Sequence, residues 1–118
     1  MHLLAKIALS TIAILVTSYI LPGVTIDSFL TALATALLIA LLNTLVKPLL
    51  IIFTIPVTIL TFGLFLLVIN ASIIMMASGL LRGFHVDGFW YALLFSIILS
   101  FITAVLESMV SSDIGPKS

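Results

Sequence analysis

Arg82, His85 and Asp87 form the densest group of chemically capable side chains in the 118-residue sequence. His85 and Asp87 stand two apart, so an extended chain projects both to one face, as an acid–base pair requires. The matching earlier segment carries Pro22 and Thr25 in place of Arg82 and His85, so such chemistry would be confined to one half. Asp27 and Asp87 each stand two residues before an aromatic residue that opens an apolar run, and helix N-capping is the simpler reading of both. With Cys 0 and His 2 there is no thiolate zinc site, disulfide framework or iron–sulfur ligation, and the trio cannot complete a metal shell. No catalytic residue, metal or cofactor is assigned, and an enzyme is not expected. Four Lys/Arg balance four Asp/Glu, so no basic footprint for nucleic acid exists.

These residues are islands in an apolar chain. Hydrophobic residues make up 64% and charged residues 7%, against roughly 25% charge in soluble domains. Mean hydropathy is +1.52. The composition is that of an integral membrane protein in contact with the lipid bilayer, one membrane domain over 1–118. Spanning the bilayer takes roughly 20 apolar residues. The first run, Leu3 to Leu21, admits Lys6 near its end and stops at Pro22-Gly23. No small-x-small cleavage site follows it, so it is read as a retained span rather than a signal peptide. A second span runs from after Asp27 to Val46, where Lys47-Pro48 interrupts it. Leu49 to Leu81 carries no charge and is too long for one untilted helix. Pro48 to about Leu60, with Pro56 inside it, is expected to form a short kinked or re-entrant segment. The third span then covers about Thr61 to Leu80 and the fourth Phe89 to about Val110, before a polar tail at 111–118.

An offset of 60 residues aligns Leu21-Pro-Gly-Val-Thr-Ile-Asp-Ser-Phe-Leu-Thr-Ala-Leu33 with Leu81-Arg-Gly-Phe-His-Val-Asp-Gly-Phe-Trp-Tyr-Ala-Leu93. Leu, Gly, Asp, Phe, Ala and Leu coincide. Ala32, Ala36, Ala40, Asn43 and Lys47 lie on one helical face, and their equivalents are Ala92, Ser96, Ser100, Thr103 and Glu107. Small-residue faces let membrane helices approach closely. The expected fold is therefore an all-α membrane protein of four transmembrane helices in two tandem hairpins, repeat 1 over about 1–47 and repeat 2 over about 61–110, joined by a linker at 48–60. A linker that crossed the bilayer would add a fifth span and invert the second half.

Gly23 and Gly83 suit turns that need positive φ. The β-branched and aromatic stretches Val24–Ile26 and Phe84–Val86 suit extended chains that pair across a pseudo-symmetry axis. Asn43 and Asn70 are read as polar links between helices ahead of substrate contacts. Lys47 and Glu107, equivalent and opposite in charge, suggest an ion pair, with separate snorkelling into the headgroups as the alternative. Trp90, Tyr91 and Tyr19 suit interfacial anchors. Lys6, Lys47 and Lys117 share the side of both termini, leaving Arg82 opposite, so both termini are expected in the cytoplasm.

The segments Asn43-Thr-Leu-Val-Lys-Pro-Leu-Leu50, Phe53-Thr-Ile-Pro-Val-Thr58, Thr61-Phe-Gly-Leu-Phe65 with Asn70, and Gly83-Phe-His-Val-Asp-Gly-Phe89 resemble the four-transmembrane phage-holin-like superfamily IV, or YvlD, family. The resemblance covers Leu3 to about Val110. It implies a small bacterial inner-membrane protein and brings no catalytic residues. The expected function is non-enzymatic: helix association into a homo-oligomer, dimer or larger, for pore formation or envelope maintenance. A small transporter or channel, with a polar path through Asn43, Asn70 and the Ser/Thr stripe of the fourth span, is the alternative.

Overall fold

Proline, glycine and the few polar residues punctuate a chain that is otherwise free to be helical. A computed structural model describes residues 2–114, with side-chain surroundings described over 3–110. Helix α1, His2–Ile20, ends just before Pro22, whose ring cannot continue a helix. Strand β1, Val24–Ile26, leads to Ser28, whose side chain accepts a hydrogen bond from the Thr31 amide and so starts α2, Phe29–Leu45. Two short helices follow, α3 (Lys47–Phe53) and α4 (Ile55–Leu60), with Pro48 and Pro56 in their first turns, where a missing N–H costs least. Helix α5, Phe65–Leu80, leads to strand β2, Phe84–Val86, and helix α6, Phe89–Ile114.

The fold is mostly helical, and it differs from an all-α bundle by one small sheet. Strands β1 and β2 pair antiparallel, Val24 opposite Val86, Thr25 opposite His85 and Ile26 opposite Phe84. The Asp27 amide donates to the Gly83 carbonyl (3.0 Å) and the Asp87 amide to the Gly23 carbonyl (2.9 Å), extending the ladder symmetrically. The third apolar helix is shorter than expected because residues 61–64 form a turn rather than its first turn. At the other end of the chain, helix α6 continues through residues 111–114 of the expected polar tail; 115–118, with Lys117, lie outside the described residues.

That turn closes with a pair of helix-terminating bonds. Phe62 (φ 56°) and Gly63 (φ 86°) are left-handed, and their amides reach the Ile59 (3.0 Å) and Thr58 (2.8 Å) carbonyls. The Thr61 hydroxyl donates to the Val57 carbonyl (3.0 Å) and accepts from the Phe65 amide (3.1 Å). Helix α5 is only about 24 Å long at 1.5 Å per residue, short of a bilayer core of about 30 Å. A turn drawn toward the apolar layer needs its backbone groups satisfied internally, which these bonds supply.

Helix α1 packs on α2 and α6, α5 packs on α6 and α2, and α3 lies against α5. The interior is rich in small side chains: Ala13, Ala32, Ala36, Ala71, Ala77 and Ala92 are buried around Ile14, Ile73, Ile74 and Phe95. Such residues bring helix backbones close where lipid is as apolar as the core.

Candidate functional site

The two ends of the bundle place the polar residues differently. At the sheet end, Val24, Phe84 and Val86 turn inward and are buried, while Thr25 and His85 face outward. Phe84 meets the Phe95 ring at 5.5 Å between centroids. The Ser78 hydroxyl donates to the Phe84 carbonyl (3.2 Å) and accepts from the Val86 amide (3.1 Å), fastening α5 to the strand.

His85 Nε2 and Asp87 Oδ1 lie 2.7 Å apart, as their spacing on an extended chain implies. Both side chains are more than half exposed, and Arg82 joins no ion pair among the described residues. No group of three or more His, Asp or Glu side chains converges to hold a metal among the described residues. Asp27 is exposed, and its neighbour Ser28 is the cap instead; Gly88, at φ 141°, takes the matching place before α6.

Gly23 and Gly83 have a different role from the expected one. Neither is left-handed; both sit under a helix that approaches too closely for a side chain. A Cβ on Gly23 would lie 2.4 Å from the Tyr91 ring, and one on Gly83 would lie 2.8 Å from the Thr31 side chain and 2.9 Å from an Asp27 carboxylate oxygen. Thr31 and Tyr91 each stand in the first turn of a long helix, so Gly23 admits the start of α6 and Gly83 the start of α2. Tyr91 is thereby half-buried as packing, whereas Tyr19 and Trp90 stay exposed, as anchors would.

At the opposite end the bundle is open. A cavity of about 370 Å³ lies between α1, α2 and α6, with Lys6, Ser10, Asn43, Ser100, Thr103 and Glu107 among its lining residues. Its wall includes the buried side chains of Ile14, Ala36 and Ile39. The two small-residue stripes converge here. Ala32, Ala36, Ala92 and Ser96 are buried within the chain, while Ala40 and Ser100 are exposed on the cavity wall.

Of the polar residues singled out from sequence, Asn43 and Glu107 join this cavity, whereas Lys47 and Asn70 do not line it. Lys47 and Glu107 form no ion pair among the described residues; Lys6 instead shares the cavity with Glu107. Ser10 was not evident as a site residue. Its position four residues after Lys6, on the same helical face, is the signal that points to it.

Among the described residues, three helices are long and apolar enough to cross a membrane: Leu3–Ile20, Phe29–Phe53 and Phe89–Val110; Phe65–Leu80 is a shorter apolar helix. A close-packed bundle of such helices, lined with small residues, defines a small multi-span membrane protein. The chain belongs to the family described as mycobacterial 4 TMS phage holin, superfamily IV, whose model matches residues 1–105. It is 37% identical over 113 residues to the uncharacterized membrane protein YvlD of Bacillus subtilis, covering 95% of each chain. It is 39% identical over 92 residues to an uncharacterized protein of Streptomyces coelicolor, covering 75% of this chain and 74% of that one. No solved structure matches it.

Proposed function

We propose that this holin-like protein is a non-enzymatic component of the bacterial cytoplasmic membrane that acts through helix association, first within the chain and then between copies. Asn70 carries the reading. It lies about 15 Å along α5 from the sheet end, near mid-bilayer depth, is half-buried, and makes no side-chain hydrogen bond among the described residues. An amide at that depth gains by bonding across to another helix, and a second copy offers one. Within each copy, the reciprocal contacts of Gly23 with Tyr91 and Gly83 with Thr31 support two tandem hairpins related by the 60-residue repeat. Lys6 and Lys47 near one end and Arg82 at the other support cytoplasmic termini.

The test is the mass of the solubilised protein with detergent counted separately, for the native chain and Asn70→Leu, alongside membrane potential on overexpression. An oligomer that dissociates in N70L, with depolarisation by the native chain alone, is expected. A native monomer that leaves cells polarised would overturn the reading.

A second reading, a transporter or channel, is supported by the meeting of Asn43, Ser100 and Thr103 in one cavity. Toward the sheet, however, buried Ala32, Ala92 and Phe95 fill the bundle. That makes the cavity a vestibule, and conduction would require those contacts to part.

A further inference from the structure

We infer that the open cavity is a binding site for a zwitterionic head group, with an anionic phosphate toward Lys6 and a primary ammonium toward Glu107, as in an ethanolamine phospholipid. The cavity lies within one chain and does not require oligomerisation. Two opposite charges face one cavity of about 370 Å³ without forming an ion pair among the described residues. That volume is near the lower end of the roughly 300–1,000 Å³ typical of small-molecule sites.

The hydroxyls point the same way. Elsewhere in the bundle Thr11, Thr17, Thr35, Thr44 and Ser72 each donate to a carbonyl four residues earlier, and Ser96 to one three residues earlier. Ser10, Ser100 and Thr103 make no such bond, nor does the Asn43 amide bond within the chain, among the described residues. Four polar side chains thus keep their hydrogen-bonding capacity turned to the same space as Lys6 and Glu107.

Depth selects the ligand class. Lys6, Asn43 and Glu107 lie about 21–27 Å along their helices from the sheet end, which sets them near the far head-group layer of a core about 30 Å thick. Leu3, Ile7 and Leu99 supply apolar wall beside them, matching a molecule whose charged head continues into hydrocarbon. A primary ammonium offers N–H donors to a carboxylate and to hydroxyls; a quaternary choline has none to give.

The experiment is native mass spectrometry of the full chain in detergent, titrated separately with phosphatidylethanolamine, phosphatidylglycerol and phosphatidylcholine of identical acyl chains. Preferential retention of one phosphatidylethanolamine per chain is expected. Glu107→Gln and Lys6→Gln should each weaken it roughly tenfold, the loss expected when a charge-assisted hydrogen bond becomes a neutral one, while Lys47→Gln leaves it unchanged. Circular dichroism of each variant confirms folding. Soluble phosphoethanolamine that competes with the lipid, and binds alone with the same dependence on Lys6 and Glu107, would support the site and assign it to free zwitterions. Equal retention of all three lipids, or retention of phosphatidylethanolamine undiminished in folded E107Q and K6Q, would overturn the proposal.

Discussion

The sheet end and the open end are built from successive stretches of the same helices, yet side chains close one and leave the other open. At the sheet end, Ala32 and Ala92 are fully buried, two glycines admit Tyr91 and Thr31, and Phe84 fills the space beneath the strands. Two turns farther along the same stripes, Ala40 and Ser100 line a cavity. Small residues therefore serve opposite purposes here. Where a strand and an aromatic ring fill the gap they leave, they bring helices together; where no side chain of this chain reaches in, they line a cavity.

If the sheet end holds the bundle closed, its central aromatic side chain should matter most. Phe84→Ala is expected to cost roughly 3 kcal/mol, the low end for a buried phenylalanine, because lipid rather than water is the alternative surrounding for much of this core. Denaturant titration in mixed micelles measures it. A cost below that of an ordinary surface change would show that the sheet rests on the bundle without closing it.

Gly23→Ala ranks next, at about 2 kcal/mol from overpacking, since the new Cβ would lie 2.4 Å from the Tyr91 ring. Pairing it with Tyr91→Ala should recover part of the loss in a double-mutant cycle, because the offending ring is gone. Additive losses would place the glycine's importance in its backbone rather than in the close approach.

On the open side, the turn after α4 is the locked element. Thr61→Val removes both the acceptor for the Phe65 amide and the donor to the Val57 carbonyl. A loss of about 1 kcal/mol is expected, that of one hydrogen bond with its partner left unsatisfied. Hydrogen exchange confined to the Phe65 end of α5 distinguishes local fraying from global destabilisation.

The end of the first span was legible because Pro22 interrupts an apolar run, and the strand pairing because Val24–Ile26 and Phe84–Val86 are β-formers that each follow a glycine. The second span was expected to stop at Val46 but runs on to Phe53, because Pro48 falls in the first turn of α3, where its missing N–H costs least. The reasons behind individual residues were less so. Asp27 and Ser28 are both good caps in adjacent positions, and only the backbone angle at Ser28 decides between them. A glycine that permits positive φ and one that permits close approach read alike, since the second depends on Tyr91 or Thr31 arriving from a distant segment. Lys6 rather than Lys47 lines the same cavity as Glu107 because α1 packs against both α2 and α6, a placement that no single helix's periodicity encodes.

The smallest expected change in stability is also the most informative about the open end. Ser100 is exposed on the cavity wall and its side chain makes no hydrogen bond among the described residues, so Ser100→Leu breaks no side-chain hydrogen bond and projects into the cavity rather than into packed side chains. Its effect on unfolding should stay within about 0.5 kcal/mol. The corresponding change one turn toward the sheet, Ser96→Leu, places the same side chain where the serine is 6% exposed, and overpacking of about 1–3 kcal/mol is expected. Measured together in mixed micelles, the two variants locate the boundary between the ends. Equal costs would mean that the cavity closes around its lining in the membrane, whereas a neutral S100L beside a destabilised S96L would mean that the cavity is part of the native fold and accessible to a ligand.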